Sequence, residues 1–171
     1  MKIGIYGGSF NPVHFGHVGL TKWVIEHTDL DELWLLVSPN NPLKPAGLLA
    51  PEEQRLAAVR EAVKDIPHVV ASDFEFALPR PSYTANTLRA LQAAYPEHEF
   101  TLVIGEDNWA LFDKWREPDY ILANYRIFVY PRHGDAADAP VIPVSPKGVF
   151  YLAEAPLFDI SSTQIRNRQR Q

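Results

Sequence analysis

Two histidines beside a glycine pair are the residues of this sequence best suited to chemistry. His14 and His17 follow a short loop made of Gly7, Gly8, Ser9 and Phe10. Glycines let backbone amides approach a ligand closely, and the helix expected to begin near Gly16 offers free amides and a positive dipole end to an anion. The imidazoles can donate hydrogen bonds to phosphate oxygens and stabilise the charge that develops in phosphoryl or nucleotidyl transfer.

Simpler roles for the same loop fit its sequence less well. A His-x-x-His pair at a helix start often serves only as a cap, but here it is combined with two glycines, an aromatic residue and a proline. A metal site needs a third ligand, and the other four histidines lie far away without matching spacing. The loop is neither a G-x-G-x-x-G fingerprint nor a Walker A loop, so nicotinamide-dependent hydride transfer and P-loop chemistry lose their main support.

The elements that hold this loop alternate between strands and helices. Apolar runs and alternating patterns predict strands over residues 2–6, 32–37, 68–71, 100–104, 127–130 and 150–152. Helical spacing predicts helices over residues 16–27, 51–64, 84–95, 108–115 and 118–123, with a last one beginning near Ser162. The helix over 84–95 should carry Leu88, Leu91 and Ala94 on one face. We therefore expect an α/β fold, a Rossmann-like open parallel sheet with helices on both faces, formed by residues 1–171 as a single domain with ligands beyond the carboxyl ends of the strands.

Composition excludes several classes of protein. The chain of 171 residues has 16 Lys and Arg against 21 Asp and Glu, a formal net charge of −5. This acidic balance argues against nucleic acid or an anionic membrane surface as a partner. The absence of cysteine excludes disulfides, thiolate metal ligands and cysteine nucleophiles. Neither a signal peptide nor an apolar run of the roughly 18 residues that a membrane span needs is found, so we expect a cytoplasmic protein.

Four motifs, in order along the chain, resemble those of bacterial nicotinate-nucleotide adenylyltransferases, which belong to the HxGH nucleotidyltransferase superfamily. The first is the loop that ends in His-x-Gly-His at residues 14–17, and the last is ISSTQIR at residues 160–166. Between them lie SYT at residues 82–84 with NTL at 86–88, and GED at 105–107 with Phe112 and Trp115. The similarity covers nearly the whole chain.

This resemblance implies a reaction and its substrates. In that family ATP and nicotinate mononucleotide give deamido-NAD and pyrophosphate, a step of NAD biosynthesis, by direct in-line attack without a covalent intermediate. The implied protein is thus a transferase whose partners are two nucleotides, as a monomer or small homo-oligomer. Mg²⁺ would accompany ATP and be held mainly by the ATP phosphates rather than by a protein metal site.

The resemblance also implies roles on the ATP side. His14, His17 and Arg166 would be catalytic, by holding the ATP phosphates and stabilising the transition state. The remaining ATP contacts would come from Gly7, Gly8, Ser9, Phe10, Gly105, Asp107, Ser161, Ser162 and Thr163. Two of these positions have ordinary alternatives: Ser161 with Gln164 also fits a capping box, and Asp107 also fits an N-cap.

On the mononucleotide side the resemblance implies five binding residues: Asn40, Lys44, Thr84, Trp115 and Arg132. Trp115 would stack on the pyridine ring, although a lone tryptophan on an amphipathic helix also fits a core position. Thr84 and the amides after it would receive the nicotinate carboxylate. The other three would reach the mononucleotide phosphate, although exposed cations are often merely solvated.

Some positions depart from the family pattern. Asn11 and Asn86 stand where the family commonly has Asp, and Leu43 stands where it has His. The chain also ends five residues after Arg166, where family members usually continue into a further helix or two, so the C-terminal helix is either trimmed or short.

Related nucleotide-binding proteins offer alternatives. Phosphopantetheine adenylyltransferase has a similar length and fold, but it usually carries Thr at the position of His14. Cytidylyltransferases and class I tRNA synthetases share the histidine signature, yet the latter need a Met-containing lysine loop and the one Met here is Met1. A non-catalytic nucleotide sensor would keep the ATP cradle, but intact His14, His17 and Arg166 argue against the loss of catalysis.

Overall fold

Six parallel strands form the centre of the molecule in a computed structural model, which describes residues 1–39, 50–131 and 147–155. The strands are β1 (Lys2–Gly8), β2 (Glu32–Val37), β3 (Val69–Ser72), β4 (Glu99–Gly105), β5 (Arg126–Tyr130) and β6 (Val149–Tyr151). The helices are α1 (Phe15–His27), α2 (Glu52–Val63), α3 (Thr84–Ala94), α4 (Glu106–Trp109) and α5 (Pro118–Asn124), with 3-10 turns at Phe74–Ala77 and Phe112–Lys114. Within these described ranges no helix is long and apolar enough to cross a membrane.

The strand order is β3-β2-β1-β4-β5-β6, and each neighbouring pair is parallel. The chain winds outward from β1 through β2 to β3, and then returns to the other side of β1 to begin β4. The order therefore switches between β1 and β4, and a crevice opens beyond their carboxyl ends. The Rossmann-like parallel sheet expected from the sequence is confirmed, and the predicted histidine loop lies at this switch.

Helices cover both faces of the sheet, as expected. On one face α1 and α2 pack Leu20, Val24, Leu56 and Val59 against the sheet, and on the other α3 and α5 bury Leu88, Leu91 and Ile121. Strand β2 contributes to both clusters, since Leu33 and Leu35 lie in the first and Leu36 in the second. A strand buried on both faces reads as a continuous apolar run, which is what the sequence 32–37 shows.

The structure differs from the sequence-based expectations in three places. The helix expected over 108–115 is divided into α4 and a 3-10 turn, because Trp109 and Phe112 both turn inward and stack at 5.1 Å between ring centroids. Leu88 and Leu91 are buried, but Ala94, expected on the same face, is exposed at the end of α3, and Ala85 takes an inner position instead. The 3-10 turn at Phe74–Ala77 was not expected.

An ion-pair network ties together the amino ends of three strands. Asp29, in the connection between α1 and β2, accepts hydrogen bonds from the Arg126 guanidinium at 2.8 and 2.9 Å and from Lys2 Nζ at 2.9 Å. Arg126 Nε also donates to Thr101 Oγ1 at 3.0 Å, so β1, β4 and β5 are linked. The Arg126 hydrogen bonds, helped by Lys2, hold the pKa of the Asp29 carboxyl well below its usual range.

A buried arginine holds the loops at the opposite, carboxyl-end edge. Arg55 of α2 is only 2% exposed. Its Nη1 donates to the carbonyls of Ser9 and Ser38, each at 2.8 Å, and its Nε donates to the carbonyl of Ala50 at 2.8 Å. These carbonyls belong to the loops that follow β1 and β2 and to the segment that leads into α2. One side chain thus sets the position of three loops around the crevice.

Replacing Asp29 by Asn should lower the free energy of unfolding at pH 7 by about 1 kcal/mol, because a paired but partly exposed carboxylate is lost. The pKa of Asp29 is lowered in the folded state, so its contribution is complete above the unfolded-state pKa of about 4 and declines as the pH falls below that value. Urea unfolding at pH 7 and pH 3 should therefore show a smaller difference at pH 3. Glu61→Gln, which breaks an exposed i,i+3 pair with Lys64, is the matched control and should change little. A difference that grows on acidification would contradict this role.

Replacing Arg55 by Lys should destabilise the protein strongly. An ammonium at the end of a different stem cannot reach three carbonyls that a planar guanidinium spans, and each buried carbonyl left unsatisfied costs about 1–3 kcal/mol. We expect a loss of about 3 kcal/mol or more in urea unfolding. Arg60→Lys, at an exposed position of the same helix, should stay within about 0.5 kcal/mol of the parent. Equal stability of the two variants would remove Arg55 from this role.

Candidate active site

The two histidines cap helix α1 reciprocally. His14 is the N-cap residue, and its Nδ1 accepts a hydrogen bond from Gly16 N at 3.0 Å. His17 Nδ1 accepts from His14 N at 3.1 Å, so each ring bonds to the backbone of the loop that carries them both. This is the geometry of a capping box with imidazoles in place of the usual side chains. The role as a cap and the proposed role in phosphate binding are therefore compatible, because the cap uses one ring nitrogen only.

The cap decides where each imidazole carries its proton. A nitrogen that accepts a backbone N–H must be unprotonated, so in each neutral ring the proton lies on Nε2. The rings stack with centroids 3.8 Å apart and planes at 25°. His14 is buried at 9% exposure and His17 is half-buried, so both donors are held by packing as well as by the cap. The cap therefore leaves Nε2–H as the donor of each ring, and because His14 Nε2 is buried, an anion meets it only after a local movement.

The helix start offers fewer free amides than its sequence suggests. Gly16 N is bonded to the His14 ring, and His17 N donates to His14 O at 3.0 Å. The expectation that these amides are available to an anion was therefore wrong at both positions. The histidine rings are the donors that this turn of helix provides.

The buried ring of Phe10 packs against His17. Its side chain is 2% exposed, and its ring packs edge-on against Tyr6 and His17 with centroid distances of 5.5 and 4.9 Å. Its φ of 47° lies in the left-handed region, which a bulky side chain adopts only when its surroundings hold it there. A ring this deeply buried leaves only the backbone of Phe10 to meet a nucleotide.

A cavity of about 160 Å³ lies beside this loop and brings together residues from both predicted halves of the site. Gly7 and Gly8 line this cavity, and so do Thr84 and Trp115. A Cβ built on Gly7 would meet nothing closer than Leu36 O at 4.0 Å, so protein packing does not require glycine there. The space beside Gly7 belongs to the cavity, which is what close approach of a ligand to the backbone needs.

Polar residues that were given no role in the site from the sequence also line this cavity: Ser38, Glu75, Ser82, Thr87 and Asn108, of which Ser82 and Thr87 belong to the SYT and NTL motifs. Glu75 is a buried carboxyl whose pKa is raised by burial, against the opposing effect of a 2.6 Å hydrogen bond from Thr87 Oγ1. The Ser82 hydroxyl is buried, with no hydrogen-bond partner in the part of the chain that the structure describes. Two features of the sequence could have pointed to these residues. Glu75 is a carboxylate between two phenylalanines, and Ser82 is the serine of the SYT motif.

The end of β4 carries the residues expected to meet adenosine. Gly105 is the N-cap of α4, and Asp107 is an exposed residue within the first turn of that short helix. The alternative that Asp107 is an ordinary N-cap is therefore wrong. Asn11, one of the departures from the family pattern, is buried and accepts a hydrogen bond from Ala50 N at 3.3 Å, a contact that an amide oxygen makes as well as a carboxylate.

Several expected site residues lie outside the described residues: Asn40, Lys44, Arg132, Ser161, Ser162, Thr163 and Arg166. Within residues 1–39, 50–131 and 147–155, no group of three or more His, Asp or Glu side chains is placed to hold a metal ion. A larger cavity of about 390 Å³ lies at the amino-end edge of the sheet. Two of the cations that line it, Lys2 and Arg126, are already paired with Asp29, and it contains none of the expected site residues.

Comparison with known proteins agrees with this geometry. A family model described as cytidylyltransferase-like matches residues 5–168. A protein of Bacteroides fragilis named "Probable nicotinate-nucleotide adenylyltransferase" is 47% identical over 165 residues, covering 96% of this chain and 80% of the relative. One of the same name from Cytophaga hutchinsonii is 45% identical over 171 residues, covering 100% of this chain and 87% of the relative.

A solved structure supports the fold independently. The nicotinic acid mononucleotide adenylyltransferase of Plasmodium falciparum, complexed with NaAD, superposes with a TM-score of 0.77 at 17% identity, covering 97% of this chain and 82% of that one. At that identity the likeness concerns the fold alone. The family match and the two bacterial relatives span nearly the whole chain, and so the protein belongs to the cytidylyltransferase-like family and, within it, to the nicotinate-nucleotide adenylyltransferases.

Proposed function

We propose that the protein transfers the adenylyl group of ATP to nicotinate mononucleotide, giving deamido-NAD and pyrophosphate in NAD biosynthesis. The observation that carries this proposal is the reciprocal cap of His14 and His17 next to a cavity that Thr84 and Trp115 line. The first feature suits the phosphates that react, and the second suits a flat ring with a polar substituent. The names of the bacterial relatives, and the NaAD complexed with the Plasmodium enzyme, support the same substrates.

The chemical step needs no covalent intermediate. A phosphate oxygen of the mononucleotide attacks the α-phosphorus of ATP, and the bond from that phosphorus to the bridging oxygen of the β-phosphate breaks. Pyrophosphate leaves with the electron pair. Both nucleophile and leaving group are oxyanions, so the step needs no general base. The barrier comes from bringing anions together and from the charge on the reacting phosphoryl group, so positioning and charge stabilisation dominate.

The histidines supply that stabilisation from the β1 side. The cap fixes the orientation of their Nε2–H groups, and the helix start behind them adds its positive dipole end. Backbone groups of Gly7, Gly8 and Ser9 would approach the phosphates, while Gly105 and Asp107 would receive the adenosine. Ser161, Ser162, Thr163 and Arg166 would form a second grip on the phosphates. Mg²⁺ would enter as part of the ATP substrate, bound mainly by phosphate oxygens.

The pyridine end of the mononucleotide would occupy the cavity. Trp115 would stack on the ring, since an aromatic face is a good partner for a planar heterocycle. Thr84 and the amides that follow it at the start of α3 would receive the nicotinate carboxylate, which a helix N-terminus favours. Asn40, Lys44 and Arg132 would reach the mononucleotide phosphate.

The substrate assignment predicts the order of rates in a pyrophosphate-release assay. With ATP and Mg²⁺, release should be fastest with nicotinate mononucleotide and slower with nicotinamide mononucleotide, because the amide carries no charge for the helix start to bind. Phosphopantetheine should give no release. Fastest turnover with phosphopantetheine would overturn the assignment, and no turnover with any of the three would favour a non-catalytic sensor.

The histidine role predicts a separation of catalysis from folding. His17→Gln keeps an oxygen that can accept from His14 N, as Gln does at this position of a capping box, but it removes the imidazole. Its kcat should fall about 10²- to 10³-fold with the thermal midpoint nearly unchanged. His17→Ala removes both the cap and the donor, so it should lose turnover and also some stability. An unchanged kcat in His17→Gln would remove the phosphate-stabilising role.

A further inference from the structure

We propose that two contacts made by the residues just after Trp115, which we call the clasp, set the position of Trp115 relative to Thr84 in the cavity and so control the affinity for the pyridine nucleotide. The clasp consists of the Arg89–Glu117 ion pair and the packing of Arg116 on Tyr83. This inference rests on the proposed function, in which Trp115 and Thr84 bind the pyridine ring and its carboxylate. The clasp residues are not proposed to contact the ring or the carboxylate; they are positioning residues that act through Trp115 and Thr84.

The ion pair joins the Trp115 segment to helix α3. Arg89 donates from both terminal nitrogens to the carboxylate of Glu117, at 2.7 and 2.5 Å. This bidentate pairing fixes direction as well as distance. The Arg89 guanidinium also lies over the ring of Tyr120, 4.0 Å from its centroid, and donates to Asn86 Oδ1 at 3.2 Å.

The second contact joins the same segment to the start of α3. Arg116 lies over the ring of Tyr83, 4.2 Å from its centroid. Tyr83 is the N-cap of α3 and directly precedes Thr84, while Arg116 directly follows Trp115. A contact between the neighbours of two cavity residues therefore determines how far apart those residues stand.

The backbone between them is held in an unfavourable conformation. Glu117 has φ 54° and ψ 51°, the left-handed region, which costs a non-glycine residue about 1 kcal/mol or more. Pro118 follows, which restricts this residue further. Such a conformation persists when contacts hold it: the Glu117 side chain forms the bidentate pair with Arg89, and its carbonyl accepts from Ile121 N at 3.4 Å as α5 begins. Trp115 also packs on Phe112, with 5.0 Å between ring centroids, so losing the pair would let Glu117 relax and shift Trp115 within that packing rather than release it.

The exposure of the Arg89–Glu117 pair determines whether its loss affects stability or substrate affinity. The side chains of Arg89 and Glu117 are 41% and 42% exposed, and ion pairs in such places add little to global stability. A loop that changes position over a cavity changes the binding of whatever fills the cavity, while the sheet beneath it is unaffected. A purely structural clasp, which only docks α5 on α3, would instead lower stability and leave substrate affinity unchanged.

The test is steady-state kinetics of Glu117→Gln, which keeps the size of the side chain and removes its charge. We expect KM for nicotinate mononucleotide to rise about fivefold, while KM for ATP, kcat and the thermal midpoint stay nearly unchanged. Arg89→Gln should raise this KM at least as much, because it also loses the contacts with Tyr120 and Asn86, and the double variant should be no worse than Arg89→Gln alone because both changes break the same pair. Arg89→Lys keeps the positive charge but cannot form the bidentate pair, so its KM for nicotinate mononucleotide should lie between those of the parent and of Arg89→Gln.

Two further variants make the outcome decisive. Asp29→Asn breaks a bidentate arginine–carboxylate pair at the opposite edge of the sheet, and should lower stability without moving either KM. Trp115→Ala should raise KM for nicotinate mononucleotide more than any clasp variant. If Trp115→Ala acts so but Glu117→Gln does not, the clasp is overturned and the proposed function stands. If Trp115→Ala has no effect on that KM, the assignment of the cavity itself fails.

Discussion

The hydrogen bonds of the buried Arg55 guanidinium are the interaction on which the site depends most. Parallel strands place their carboxyl ends at one edge, but the loops beyond them carry polar backbone groups that the sheet does not satisfy. Arg55 bonds to carbonyls from three such segments, Ser9, Ser38 and Ala50, at 2.8 Å each. Burial lowers the pKa of this group and the nearby Glu52 opposes the shift, yet an arginine stays charged throughout. Charge-assisted bonds to buried carbonyls make the loop after β1 a rigid platform for the histidines.

The two proposed substrates are anions, and this acidic protein would bind them through hydrogen-bond donors placed locally at the site rather than through its net charge. The formal charge is −5, but the imidazole N–H groups of the described residues are local donors in a largely buried setting, where they are stronger than in water, and Lys44, Arg132 and Arg166 are the cations proposed to join them. Some acidic groups are neutralised in ion pairs, such as Asp29 at the amino-end edge and Glu117 in the clasp. The two halves of the site meet because β1 and β4 are neighbours at the point where the strand order switches.

Sequence reasoning succeeded where the signal is local. The alternation of apolar strands and helices predicted the sheet, and the family resemblance, rather than spacing, singled out Thr84 and Trp115, which line one cavity with the glycine loop. It missed Arg55, whose partners lie up to 46 residues away and whose neighbours in α2 look like an ordinary solvated face. It missed the clasp for the same reason, because Arg89 and Glu117 are 28 residues apart. Ala94 fits the helical period but lies where α3 leaves the sheet, so tertiary context decided its exposure.

The reciprocal histidine cap limits which side chains could ever replace the pair. Lysine or arginine would bring more charge to the triphosphate, but neither has an acceptor for the amides of Gly16 and His14, and a ring protonated on both nitrogens has none either. The helix start thus confines this side of the site to neutral donors. In the proposed reaction, pyrophosphate carries the same oxygens that ATP presented, and a neutral pair would hold it less firmly than fixed cations would. The cap that orients the donors would therefore also favour the departure of the product.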